Sequence, residues 1–290
     1  MIHSKTKIYA ILLTFLLPIL FFGNATVNDN FIDGFKADSC GYAKINNVKL
    51  YYEISGKGEP LLYLHGGLSS SRDFEKYIPE FSKHFQVITV DRRGHGRSFD
   101  NSEPYSYSSM ADDMNAFLEY LKIDSIFVIG WSDGGVVGYH LASKNPNKVK
   151  KLIAVGANYL VDGMTKSSID WIKNQLTAEN ISKSYPQVKE EYKKLNPNPE
   201  NFGNFINKTR NMWLHDPYIS KEDFIEIHIP VLLVAGDRDD IRLEHMIEMH
   251  SLLNKSQLCI FPNTTHFIFN KKNDVITNIF IEFLQQEVDK

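Results

Sequence analysis

Cysteine is nearly absent: Cys40 and Cys259 are the only two in 290 residues. Two cysteines cannot build a disulfide framework, and their spacing matches no zinc-ligand pattern. His245 and His250 fall on one predicted helix, but five residues apart rather than the four that a metal-binding helix uses. Each is read as a solvated or packed histidine, and no metal or cofactor is expected. Basic excess is absent too. With 32 Lys and Arg against 35 Asp and Glu, the formal charge is −3, which disfavours a nucleic-acid partner. Internal repeats and low-complexity tracts are missing, so solenoids and long linkers are excluded. Beyond residue 22 no apolar run is long enough to span a bilayer. What remains is an ordinary globular composition, 43% hydrophobic and 23% charged, which suits one large domain or two small ones.

The N-terminus is a separate matter. Lys5 and Lys7 precede an apolar run from Ile8 to Phe22, and Gly23-Asn24-Ala25 follows with the small residues of a signal-peptidase site. The expectation is a signal peptide over 1–25 and export, to a periplasm or out of the cell. The run is short and Pro18 interrupts it; the alternative is an uncleaved anchor. Cleavage would leave 30 basic and 35 acidic side chains, a charge of −5, and no stable membrane insertion. Cys40 lies too far beyond the run to carry a lipid.

After a loose entry to about Gly41, Val48 to Ser55 alternates as a half-buried strand. Short continuous apolar runs follow at Leu61–Leu64, Val87–Val90, Ile126–Ile129, Leu152–Val155, Val231–Ala235 and Leu258–Phe261. Such runs suit strands buried on both faces. Helical spacing lies between them at Phe74–Phe85, Met110–Leu121 and Gly135–Ser143, and after them at Val275–Phe283. Alternation of this kind predicts a mostly parallel sheet with helices on both faces. From 159 to 229 the alternation stops: helical candidates at Ile169–Leu176, Tyr185–Leu195 and Phe202–Trp213 are separated by prolines, with no convincing strand. The chain therefore divides into a core, 26–158 and 230–290, and a helical insertion, 159–229, which would lie over the ligand crevice at the strand ends. The aromatics Trp171, Tyr185, Tyr192, Phe205 and Trp213 are read as that insertion's own small core.

The chemistry concentrates at Gly130-Trp131-Ser132-Asp133-Gly134. The string alone is a modest signal, because Gly and Ser are common. Its place between a strand and a helix strengthens it: a serine on that corner is pushed out of the sheet, between small neighbours that tolerate the bend. A serine hydroxyl needs a base to take its proton and an acid to hold the base. After Val231–Ala235 comes Gly236-Asp237-Arg238-Asp239-Asp240, and after Leu258–Phe261 comes a loop ending in His266. His266 takes the base role, since His245 and His250 fall within a helix. Asp237 follows the strand closely and suits the turn. Donors for a developing oxyanion would be the backbone N–H of Asp133 and, from the His65-Gly66-Gly67 loop, that of Gly67.

With these residues in place the chain resembles serine hydrolases of the α/β-hydrolase fold, from about Asn46 to the C-terminus. Asp91-Arg92-Arg93-Gly94-His95-Gly96-Arg97-Ser98 matches a further signature of that family, read as architectural. The resemblance implies an eight-stranded sheet with the first strand antiparallel, a small helical cap over 159–229, and Asp239, three residues after Gly236, as the acid. It would also set Cys40 and Cys259 near opposite sheet edges as free thiols. Gly130 to Gly135 with Gly156-Ala157-Asn158 is most similar to the biphenyl-hydrolase-like, or valacyclovir hydrolase, group, which cleaves α-amino acid esters. That likeness implies that the Asp133 side chain reads a substrate ammonium group; the other role open to it is to favour the helix start. The function implied is cleavage of a small carboxylic ester through an acyl-enzyme, without cofactor. Alternatives on the same triad are carbon–carbon bond hydrolysis or perhydrolysis. A ligand receptor with negligible turnover is a third. Serine at 132 argues against dehalogenase and epoxide-hydrolase chemistry, which place aspartate there.

Overall fold

A computed structural model describes residues 36–216, 218–270 and 273–287. The segment read as a signal peptide lies outside them. Eight strands form one sheet: β1 Ser39–Ile45, β2 Val48–Ser55, β3 Glu59–Leu64, β4 Phe85–Val90, β5 Ile126–Trp131, β6 Val149–Val155, β7 Val231–Arg238 and β8 Ser256–Thr265. Their order is β1-β2-β4-β3-β5-β6-β7-β8. Seven of the eight are legible as apolar runs or alternation. The eighth, β1, lies where a loose entry is expected, and its outer half is largely exposed because it is an edge strand. It pairs antiparallel with β2, and β2 antiparallel with β4. The strand that runs against the others is thus the second, not the first.

The central strands are buried along their length, as continuous Val, Ile and Leu runs require. Helices α1 Ile78–Phe81, α2 Tyr107–Tyr120 and α3 Asp133–Lys144 interleave with them. The helix expected over Phe74–Phe85 is broken. A 3-10 turn at Ser71–Phe74 and the single turn α1, with Pro79 near its start, replace it, and Phe85 already belongs to β4. The α3 helix opens two residues earlier than its apolar spacing suggests, at Asp133.

Between β6 and β7 the described residues hold five helices and no strand: α4 Lys166–Gln175, α5 Ala178–Ser184, α6 Pro186–Leu195, α7 Phe202–His215 and α8 Lys221–Ile225. Helices α9 Leu243–Leu252 and α10 Asn273–Gln285 complete the chain. One hydrophobic cluster lies on the α2, α3 and α9 face and runs on into α4 to α8. A second lies on the α1 and α10 face. Cys40 on β1 and Cys259 on β8 are free and sit at opposite edges of the sheet. Every loop that carries a candidate site residue leaves the C-terminal end of a parallel strand, where open α/β sheets bind their ligands.

Candidate active site

Ser132 is the hinge between β5 and α3. Its φ of 53° and ψ of −120° are costly for a residue with a Cβ, on the order of 1–3 kcal/mol, and persist only where the surroundings enforce them. Its N–H donates to the Val155 carbonyl at 2.7 Å, and its own carbonyl accepts from Gly135 at 2.8 Å. The flanking glycines are forced by contact. A Cβ on Gly130 would lie 2.4 Å from the Gly134 carbonyl oxygen, and one on Gly134 only 2.1 Å from that of Leu64. The corner therefore brings α3 against the end of β3, and the serine hydroxyl emerges above both.

The structure brings His266 and Asp239 to that hydroxyl. His266 Nε2 lies 2.9 Å from Ser132 Oγ, and His266 Nδ1 lies 2.8 Å from Asp239 Oδ1. The buried Asp239 carboxylate also accepts from the backbone N–H groups of Gly236 and Ile241, which fix its plane. Asp237 is turned away from the relay: it still belongs to β7 and accepts from the Thr264 N–H of β8 at 2.9 Å, a bond between strands and not within the turn. Burial is the strongest influence on the imidazole and pulls its pKa down. The Asp239 charge and hydrogen bond, with smaller help from Asp240 and Asp133, outweigh it and hold His266 up at about 9. Trp131, a mere spacer in the motif, also acts here: its indole N–H donates to the His266 carbonyl at 3.1 Å. An aromatic beside the serine was the only signal for that.

The loop after β3 faces the same space. No acceptor within the protein takes the Gly67 N–H among the described residues. As the first residue of α3, Asp133 has an N–H without an intrahelical acceptor. A Cβ on Gly67 would come within 2.4 Å of the Trp213 ring and 2.6 Å of Asp133 Oδ2, so only glycine lets this backbone so close.

The Asp133 side chain is buried and well supplied with donors. Tyr107 Oη donates to Oδ1 at 2.9 Å, Trp213 Nε1 lies 2.9 and 3.0 Å from the two oxygens, and Arg92 Nη2 is 4.0 Å from Oδ2. Asp240, next to the acid, lines the same cavity and among the described residues has one side-chain hydrogen-bond partner, Ser168 Oγ at 2.8 Å. Burial raises its pKa. Neither Asp240 nor Arg92 stands out in the sequence; one hides in a run of acids, the other in a motif read as purely architectural.

The cavity above Ser132 has a volume of about 300 Å³. Its floor is Gly66, Gly67, Ser132 and His266; its roof includes Trp171 and Trp213 from α4 and α7. These two tryptophans correct the expectation that the insertion's aromatics form only its own core. Tyr192 and Phe205 do pack there, with ring centroids 4.7 Å apart. The roof is tied to the core: Thr165 N–H donates to the Asp240 carbonyl, Lys208 pairs with Asp100, and Asn196 reaches the carbonyls of Gly94, Gly96 and Ser98.

Comparison with known proteins agrees with this fold. A family model described as "alpha/beta hydrolase fold" matches residues 59–202. An AB hydrolase superfamily protein of Bacillus subtilis is 27% identical over 261 residues, covering 82% of this chain and 96% of that protein. Human serine hydrolase BPHL is 25% identical over 258 residues, covering 83% and 84%. A meta-cleavage product hydrolase from Pseudomonas fluorescens superposes with a TM-score of 0.70 at 21% identity, covering 84% of this chain and 97% of that one. The biphenyl-hydrolase-like protein is thus one relative among several of similar identity and different chemistry, and does not single out a subgroup. The eight-stranded sheet, the matched family model and these hydrolytic relatives make the chain a hydrolase of the alpha/beta hydrolase fold family.

Proposed function

We propose that this protein hydrolyses small carboxylic esters through a covalent acyl-enzyme. The observation that carries the reading is the unbroken relay Ser132 Oγ, His266 Nε2, His266 Nδ1, Asp239 Oδ1, with both contacts under 3 Å. Ser132 attacks the ester carbonyl as His266 takes its proton; the N–H groups of Gly67 and Asp133 receive the negative charge on the carbonyl oxygen. His266 then returns the proton to the leaving alcohol. Water enters by the same route in reverse and releases the acid. A cavity near 300 Å³ stands at the small end of ligand pockets and favours short acyl groups. A fluorophosphonate should label the wild type and leave Ser132→Ala unlabelled, and the wild type should turn over short acyl esters at least about 10⁴-fold faster than Ser132→Ala. A folded wild type that does not label overturns the reading. Labelling without ester turnover moves it to carbon–carbon bond cleavage or to a receptor.

The finer reading is an α-amino acid ester. Two carboxylates besides the acid of the relay, Asp133 and Asp240, line the cavity and would attract an ammonium group. The test compares a free amino acid ester with its N-acetylated form; equal rates would sink this reading while leaving the esterase intact.

A further inference from the structure

Arg92 has no part in the relay, yet it is fully buried beneath it. A buried guanidinium is expensive unless its donors are used. Its Nη2 donates to the carbonyls of His65 at 2.9 Å and Gly66 at 3.0 Å, both in the loop that ends at Gly67. Its backbone N–H donates to His65 Nε2 at 3.0 Å. That bond makes Nε2 an acceptor, so the ring proton sits on Nδ1, which lies 2.7 Å from the Gly66 carbonyl oxygen. Burial, with the Arg92 charge behind it, keeps this imidazole neutral by pushing its pKa well down. Ser69 Oγ adds a third donor to the same carbonyl at 3.0 Å.

The Gly66 carbonyl is therefore held by three donors, one of them charged. Gly66 and Gly67 share a trans peptide, in which the C=O and the N–H point in opposite directions. Drawing the carbonyl down toward Arg92 turns the Gly67 N–H away from it, and Gly67 lines the same cavity as Ser132. The charge also polarises that peptide, which strengthens its N–H as a donor. On its other flank the same guanidinium lies 4.0 Å from the Asp133 carboxylate, the side chain of the second N–H donor.

We propose that Arg92 is a positioning residue for the oxyanion hole: it aims and polarises the Gly66–Gly67 peptide so that the Gly67 N–H meets charge that develops only in the transition state. This rests on the serine-hydrolase reading above. An interaction made only at that stage should affect kcat and spare KM.

The test uses the whole protein as wild type, Arg92→Lys, Arg92→Gln and Arg92→Met, with a short-chain ester and an alkyl boronic acid. The boronate forms a tetrahedral, anionic adduct on Ser132 and so occupies the hole. In Arg92→Met, kcat should fall about 100-fold, KM should stay within about threefold, and boronate affinity should fall in parallel with kcat. Arg92→Lys should lie between, because an ammonium keeps the charge but not the fork. Should Arg92→Met not fold, Arg92→Met with Asp133→Asn removes both buried charges and carries the boronate measurement. A folded variant with unchanged kcat and boronate affinity overturns the proposal, as does one in which kcat, KM and melting temperature worsen together. A wild type that neither binds boronate nor hydrolyses esters overturns the hydrolase reading and this one with it.

Discussion

The floor and the roof of the cavity are built by different means. Apart from His266 the floor is backbone: the Ser132 corner closes so tightly on itself and on the end of β3 that an added Cβ at Gly130 or Gly134 would lie 2.4 or 2.1 Å from a backbone carbonyl oxygen. The roof is side chain: Trp171 and Trp213 hang from α4 and α7, whose outer faces are solvated. A backbone surface permits few residue types at each position, whereas a side-chain surface on a helix accepts many. On the proposed function, this contrast predicts that the floor governs the chemical step and the roof the choice of substrate.

One substitution made in both regions tests the comparison most severely. Gly134→Ala would drive a methyl group into the backbone at Leu64 and His65, so β3 or the oxyanion loop must move. We expect a loss of about 3 kcal/mol or more in chemical unfolding, and nearly complete loss of ester turnover. Gly203→Ala in α7 meets nothing within 4 Å. There the gain in helix propensity should stabilise the protein by about 0.4–1 kcal/mol with turnover unchanged. Comparable losses at both positions would erase the distinction between floor and roof.

The same distinction explains how much was legible in the sequence. Ser132 and His266 follow from a glycine-bounded corner and from the end of an apolar run, because these features depend on local chain geometry; among the three carboxylates after Gly236, only the family resemblance singles out Asp239. Strands β2 to β8 follow from burial on both faces or on one. Strand β1 escaped because only Ala43 and Ile45 of its seven residues are buried, too few to write a pattern with, whereas the other edge, β8, carries the apolar run Leu258–Phe261. Trp213 was legible as a core residue of its helix, but a linear pattern cannot show that its indole N–H crosses to Asp133, 80 residues away. Arg92 escaped for a related reason: its partners, His65 and Gly66, come from another strand's loop.

Trp213→Phe probes the roof's hold on the floor. Phenylalanine keeps most of the ring but withdraws the N–H that reaches both Asp133 oxygens. Losing a hydrogen bond to a charged group should cost about 1.5–3 kcal/mol of stability. Because the relay is untouched, kcat should stay within about twofold while KM rises several-fold. A fall in kcat with KM unchanged would show that the roof takes part in the chemical step.

The smallest effect expected comes from the seam between the two regions, where the Asp240 backbone belongs to the acid's loop and its carboxylate reaches Ser168 on α4. As the proposed base, His266 could accept the serine proton only when neutral, and its pKa is held up at about 9. The kcat/KM profile should therefore climb as pH rises through that value, not through the ordinary imidazole range near 6.5. Asp240→Asn is nearly isosteric and keeps an oxygen for Ser168, so the melting temperature should hardly change. It does remove one of the charges that raise His266, and the rising limb should move to lower pH. A limb that stays put would show that Asp240 is too well screened to act on the imidazole. The same variant divides the two carboxylates as readers of an ammonium group. If the preference for a free amino ester over its N-acetylated form falls in Asp240→Asn, the charge that selects the substrate lies on the seam. If the preference survives there and falls in Asp133→Asn, selection belongs to the floor despite the donors that Tyr107 and Trp213 already supply.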